Sequence, residues 1–169
     1  MLKKLFTGIV ASSAIASGAS AAEKETRIVE YPGFSKLTIE VPADWKTYDQ
    51  KRIGVFSADK KLEIAGSAFG TNGQPIEDFT ENKHQGITKK MHWYKATTEL
   101  TKIEHPKYSG YIKEYQGIWP KEDIPTTYIV STIGMDGIAM SLTFTGFTKD
   151  IDAYREQVKD IIKSVQLKK

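Results

Sequence analysis

The chain has 169 residues, with 24 lysines and arginines against 21 aspartates and glutamates, and no cysteine. The missing cysteine excludes a disulfide scaffold, thiolate zinc sites and thiol chemistry. Two of the basic residues and none of the acids fall in the first 21 positions, so the remainder carries +1 instead of the +3 of the whole chain. No lysine or arginine run is longer than two, and nucleic acid is not an expected partner.

Lys3 and Lys4 form a positive start, followed by an uncharged, mostly apolar run over residues 5–15 and a small-residue tail. Ala19-Ser20-Ala21 fits an A-x-A cleavage site, with Ser20-Ala21-Ala22 as a second choice, and Glu23-Lys24-Glu25 opens a charged stretch. The pattern predicts a cleavable signal peptide over 1–21 and a single exported domain over 22–169, starting at Ala22 or Glu23. A membrane anchor needs about 20 apolar residues, whereas this run is broken by Ser12, Ser13, Ser17, Gly18 and Ser20. Without a cysteine to carry lipid, the product is expected free in the periplasm or outside the cell, with no membrane anchor after cleavage. About 147 residues suffice for one domain with its own core.

The first element reads as an entry strand over 27–45, in which Leu37, Ile39 and Val41 alternate with Lys36, Thr38 and Glu40 and Pro42 closes the run. Residues 53–57 and 62–69 flank the polar Ala58-Asp59-Lys60-Lys61, the pattern of a hairpin. The loop Thr71-Asn72-Gly73-Gln74-Pro75 then leads into a helix, with Pro75 suited to its first turn. Ile76, Phe79, Ile87 and Met91 fall near one face of that helix, Glu77 and Asp78 at its positive end, Lys89 and Lys90 at its negative end. Gly86 weakens the middle by about 1 kcal/mol relative to alanine.

Strands are predicted at 97–104 and 110–119, with a polar insert at 120–125. Residues 126–133 and 138–146 flank the turn Gly134-Met135-Asp136-Gly137, and Ile138, Met140, Leu142 and Phe144 share one strand face. A final helix presents Ile151, Tyr154, Val158, Ile161, Ile162 and Val165, with Thr148 or Asp150 as its cap. Strands joined by short turns pair antiparallel, so the expected class is α+β, an antiparallel β-sheet packed with helices.

Two stretches carry a resemblance. Phe34-Ser35-Lys36-Leu37-Thr38-Ile39-Glu40-Val41-Pro42-Ala43-Asp44-Trp45 is a strand running into a Pro-x-x-Trp corner, and Ala139-Met140-Ser141-Leu142-Thr143-Phe144-Thr145-Gly146 precedes a helix closing on Ile161-Ile162-Lys163-Ser164-Val165. Both are similar to the Mog1/PsbP-like superfamily, including its DcrB-type bacterial exported domains. The resemblance implies an α/β/α sandwich and a role in binding other macromolecules, with no shared catalytic site to carry over. Gly86 and the 120–125 insert depart from the family pattern.

Catalytic signals are sparse. The histidines are His84, His92 and His105, and none forms an i, i+4 metal pair with another. They read as exposed polar residues on and after a lysine-rich helix end. No Gly-x-Ser-x-Gly elbow or phosphate-cradling glycine loop occurs, and Glu122-Asp123 reads as solvated charge. No catalytic residue, metal or cofactor is therefore expected. The aromatic residues Trp93, Tyr94, Tyr111, Tyr115 and Trp119 are the candidate partner-binding surface, since such rings bury large area while keeping a polar handle. The other reading is that they simply cover the sheet.

The expected function is a non-enzymatic exported binding or adaptor domain that meets a protein partner in the cell envelope, in its most specific form an immunity- or chaperone-like protein toward a secreted toxin. The alternatives are an envelope hydrolase, whose pocket would gather His84, His92 or His105 with a carboxylate, and a carrier of a small ligand or lipid in a cleft between sheet and helices.

Overall fold

The computed structural model describes residues 25–31, 37–49, 51–90, 93–119, 123–135 and 137–167, with the backbone alone at positions 87, 88, 90, 119, 135 and 167. The expected signal segment lies outside these residues, as do positions 34–36, Met91, His92 and positions 120–122.

Where one entry strand is expected over 27–45, the chain makes two, and a third follows at once. Strand β1 (Thr26–Glu30) pairs antiparallel with β2 (Leu37–Pro42), Val29 opposite Ile39, and β3 (Lys46–Asp49) joins a different sheet. Leu37, Ile39 and Val41 are all fully buried, as their alternation requires. The free edge of β2 takes β11 (Gln166–Leu167), a strand that the sequence pattern does not announce.

The larger antiparallel sheet contains β4 (Ile53–Phe56), β5 (Leu62–Gly70), β6 (Tyr94–Ala96), β7 (Thr101–Glu104), β8 (Ser109–Trp119), β9 (Ile124–Met135) and β10 (Ile138–Phe147). Its order is β3-β4-β5-β10-β9-β8-β6, with β7 also on β8. Of the strand expected at 97–104 only 101–104 forms, and β6 precedes it, because the chain bows out after β6. Thr97 N–H donates to the Glu114 carbonyl at 2.9 Å, and the Thr98 hydroxyl accepts from Glu114 N–H at 2.9 Å, replacing ladder partners. At the β9–β10 hairpin Ile138 sits opposite Met135, so the turn is shorter than the expected 134–137, and Gly137 takes φ +80°.

One face of this sheet carries Ile64, Ile129, Met140, Leu142 and Phe144 into a core shared with β2 and with the C-terminal helical segment. That segment is α2 (Thr148–Ile151), a 3-10 turn (Asp152–Tyr154) and α3 (Arg155–Lys163), burying Ile151, Val158, Ile161 and Ile162. The expected side-chain cap is absent. Phe147 occupies the cap position, and the Thr148 hydroxyl instead accepts a bond from Thr127 at 3.1 Å.

The opposite face is covered by α1 (Ile76–Lys90). Its contact row is Ile76, Thr80 and His84, and the last two are 0% and 2% exposed. Of the expected apolar row Ile76 is in place, and the side chains of Ile87 and Met91 lie outside the described residues. Phe79 is only half-buried, against Phe69, and His84 lies beneath the helix where an exposed residue is expected. Two helical layers thus enclose an antiparallel sheet, the α+β class expected. No helix among the described residues is long and apolar enough to cross a membrane.

Ser164 locks the C-terminal helix to the small sheet. Its hydroxyl accepts from Glu40 N–H at 2.8 Å and donates to the Ile161 carbonyl at 2.7 Å. This gives the Ile-x-x-Ser close a physical reason. Ser164→Ala should cost about 1 kcal/mol by removing these bonds, seen as a lower urea midpoint, and Ser164→Thr, which keeps a hydroxyl, should recover most of it.

Candidate functional site

Three of the five aromatic candidates come together at the edge of the large sheet formed by β6 and β8. Tyr94 on β6 and Tyr115 on β8 form a small core with Val130, against which Trp93 and Tyr128 pack. The Tyr94 ring lies 5.6 Å from Tyr128 and 6.4 Å from Trp93. The backbone comes closest at Gly117, where a Cβ would stand 2.5 Å from the Trp93 carbonyl oxygen, so only glycine admits this approach.

Period two places Tyr111 and Tyr115 on the same face, and that face is the one under α1. Tyr115 is 0% and Tyr94 3% exposed, which corrects both from contact surface to core: the helix end and the neighbouring rings cover them. Tyr111, half-buried, donates its hydroxyl to Glu77 on α1 at 2.9 Å. Trp93 keeps part of its surface in solvent. Trp119 pairs with Ile124 through its backbone, and its side chain lies outside the described residues.

His84 holds this edge to the helix. Its Nδ1 hydrogen-bonds the Tyr115 hydroxyl, and the two rings stack at 5.6 Å. Burial, aided by the nearby Lys113 charge, lowers the His84 pKa from 6.5 to about 4. Burial likewise pushes the Tyr115 phenol up to about 12, with Glu81 and Tyr128 adding to the shift. Both groups are neutral near pH 7, so the pair acts as a structural hydrogen bond. The third histidine, His105, bonds the Lys163 carbonyl at 2.9 Å through Nε2 and stacks on Tyr108. No histidine lines the clefts at Trp45, Phe56, Arg155 or Ser164, so none of these four has the arrangement named for a hydrolase.

A concavity that the sequence reading misses lies across the sheet, between the β2–β3 corner and the β4–β5 turn. It encloses about 530 Å³. Trp45 and Tyr154 meet there edge to face, 6.2 Å apart, and Pro42, Ala43 and Ala58 add apolar wall. Glu25, Asp44 and Asp59 supply carboxylates. Asp59 Oδ1 accepts from the Tyr154 hydroxyl at 2.5 Å, from Ser57 Oγ at 2.8 Å and from Lys61 N–H at 3.2 Å. These bonds, Tyr154 first, hold its carboxyl below the usual range, so it is an anion. Among the described residues no three ligands gather closely enough to hold a metal ion. The parts come from positions 25, 44, 45, 59 and 154, and no spacing rule links them.

The pH dependence of stability follows from His84. The unfolded chain takes up a proton below pH 6.5 and the folded chain resists it down to about 4, so stability is full above that window and falls within it. The loss attributable to His84 should reach about 3 kcal/mol. Denaturant titrations at pH 7 and pH 4.5 should show a smaller difference for His84→Gln than for the wild type.

No family model matches the chain, and no curated protein matches it. Solved structures do. Cyanobacterial PsbP (CyanoP) from Synechocystis aligns over 90% of this chain and 98% of its own, with a TM-score of 0.65 at 8% identity. LpqN of Mycobacterium tuberculosis, described as involved in cell envelope biogenesis, aligns over 86% and 91%, with a TM-score of 0.64 at 10% identity. The Saccharomyces cerevisiae Ran-binding protein Mog1p aligns over 85% and 96%, with a TM-score of 0.59 at 8% identity. Such identities speak to fold alone, and the fold of this chain is Mog1/PsbP-like.

Proposed function

We propose that the chain is a non-enzymatic, DcrB-type exported domain that binds a protein partner in the cell envelope, as an adaptor or as an immunity-like protein toward a secreted toxin. Residues 1–21 are its removable signal and 22–169 the binding domain. The observation that carries this reading is the aromatic edge. Trp93 remains partly exposed in front of Tyr94 and Tyr115, which are already fixed in a core cluster. A ring ordered before binding loses little entropy on contact, which is the property of an interface anchor. Tyr111 and Trp119, on the same strand as Tyr115, are included in the proposed contact, while Tyr94 and Tyr115 act behind it.

The fold supports the same reading by analogy, since one protein that shares it is Ran-binding and another is involved in cell envelope biogenesis. The export component rests on Lys3, Lys4, the run over 5–15 and Ala19-Ser20-Ala21.

Two measurements test the two components. N-terminal sequencing of the protein recovered from its native envelope should begin at Ala22 or Glu23, and recovery of Met1 to Ala21 on the mature protein would refute export by cleavage. In affinity capture from the same fraction, Trp93→Ala and Trp119→Ala should each lower recovery of a specific partner about tenfold, as expected for anchor residues. An unchanged set of captured proteins in both variants would reject the aromatic edge as the contact.

A further inference from the structure

We propose that the Asn72-Gly73 step is a modification site, at which the folded domain loses a side-chain amide without a catalyst and passes into an isoaspartyl form with a loosened α1. The pair lies in the connection between β5 and α1, and both residues are exposed. Asn72 takes φ +50° and Gly73 φ +76°, the left-handed pair that Asn-Gly adopts at least cost, and Gln74 N–H closes the turn onto the Thr71 carbonyl at 3.0 Å. Turn formation accounts for the choice of residues. It also leaves the two reacting groups open.

The Gly73 backbone nitrogen, having lost its proton to hydroxide, attacks Cγ of Asn72. The new N–Cγ bond closes a succinimide ring, the Cγ–Nδ2 bond breaks, and the side-chain nitrogen leaves as ammonia with a proton taken from water. A second water then opens the ring. Opening at Cγ restores the ordinary backbone with an aspartate, and opening at the main-chain carbonyl carbon routes the backbone through Cγ as isoaspartate. In sum one water is consumed, one ammonia is released and nothing is oxidised or reduced. A side chain at Gly73 would meet nothing within 4 Å, so no neighbour crowds the attacking nitrogen. Neither Gly73 N–H nor the Asn72 side chain is hydrogen-bonded among the described residues. The bond from exposed Gln74 that closes the turn opens locally at little cost. Asn82 is placed otherwise, because the N–H of the following Lys83 lies inside α1 and is held by the helix.

The two products act on α1 in opposite directions, because the turn is tied on both sides. Thr71, 6% exposed, donates its N–H to the Gly137 carbonyl at 2.8 Å, and Pro75 leads into Ile76, which packs on Gly134. An isoaspartyl residue inserts one more methylene into the main chain between these ties, and the Gln74–Thr71 bond is lost. The start of α1 loosens with it. The aspartyl product keeps the backbone and places an anion ahead of the positive end of the helix, which favours it. The site does not depend on the partner-binding reading.

Peptide mass spectrometry of the folded domain, held in warm and mildly alkaline buffer, tests the site. Trypsin places both asparagines in one fragment, 62–83, so each serves as the other's reference. Amide-to-acid conversion is expected at Asn72 and not at Asn82, giving an isoaspartyl and an aspartyl peptide that separate by chromatography. Conversion should slow in acid, where the Gly73 nitrogen keeps its proton, and in Gly73→Ala. Asp136-Gly137 can cyclise in the same way without a change of mass, so the isoaspartyl product is assigned by its peptide. Amide exchange in α1 of the isolated isoaspartyl form should be about fivefold faster than in Asn72→Asp, as expected for the loss of one turn bond. No conversion at Asn72, equal conversion at Asn82, or an unchanged rate in Gly73→Ala overturns the site. Equal exchange in the isoaspartyl form and Asn72→Asp overturns its effect on α1. Should Gly73→Ala fail to fold because of its positive φ, the comparison of Asn72 with Asn82 decides alone.

Discussion

The arrangement depends on how closely α1 can approach the large sheet. Strand β10 is buried on both sides: Met140, Leu142 and Phe144 fill the core on one, while Ala139 and Ser141, 0% and 5% exposed, face the helix on the other. The helix-facing residues of β9 and β10 near its start are small, and at Gly134 a side chain would collide with Ile76. A helix seated this low has little room for bulky apolar residues, which explains why Thr80 and His84 lie beneath it. Each has a polar partner: Thr80 donates to the Ile76 carbonyl at 2.6 Å, and His84 Nδ1 bonds the Tyr115 hydroxyl. A single helix cannot cover an eight-stranded sheet. Tyr48, 40% exposed, therefore covers the outer strands itself by stacking on Phe56 at 4.6 Å and donating to Glu63 at 2.5 Å.

On the other face, charged groups set the position of the C-terminal helix. Arg155 reaches Glu114 on β8 with two nitrogens, at 2.7 and 3.2 Å, and also bonds Asp152 at 2.7 Å. Glu114 is 8% exposed, so losing Arg155 would strand a largely buried charge. Hydrogen bonding to Glu114, followed by that to Asp152, raises the guanidinium pKa still further, and Arg155 stays charged. Across the cleft, Arg27 donates to the Trp45 carbonyl at 2.7 and 3.1 Å and to the Thr47 hydroxyl at 3.0 Å. One arginine fixes the helix that carries Tyr154 and the other fixes the corner that carries Trp45. The width of the opening between them is set by these contacts, remote from the carboxylates that line it.

What the sequence conveyed well was local. Period-two alternation at Leu37, Ile39 and Val41 and at Met140, Leu142 and Phe144 marks residues that pack in the core, and the spacing over 151–165 marks a real helical face. Long-range partners were less legible. The split of the entry strand had a turn signal in Pro32-Gly33, but which sheet β3 would join could not be read from alternation. Gln166 and Leu167 are too few to show a period. His84 looked like a surface residue because it falls near a lysine-rich helix end, and its burial follows from its stacking on Tyr115, 31 positions away in sequence. The aromatic edge was partly visible, since strand periodicity put Tyr111 and Tyr115 together. The Trp45–Tyr154 cleft was not, because it exists only where four distant segments meet.

The small sheet has a consequence for the order of events in folding. Its middle strand, β2, is flanked by β1 at one edge and by β11 at the other, and the bond from Glu40 to Ser164 spans 124 positions. The polypeptide is made from its N-terminus, so β2 must wait with an unpaired edge until residues 164–167 have arrived. Closing so large a loop slows folding, and it makes the docking of β11 and Ser164 a late event to which the sealing of this side of the core is tied.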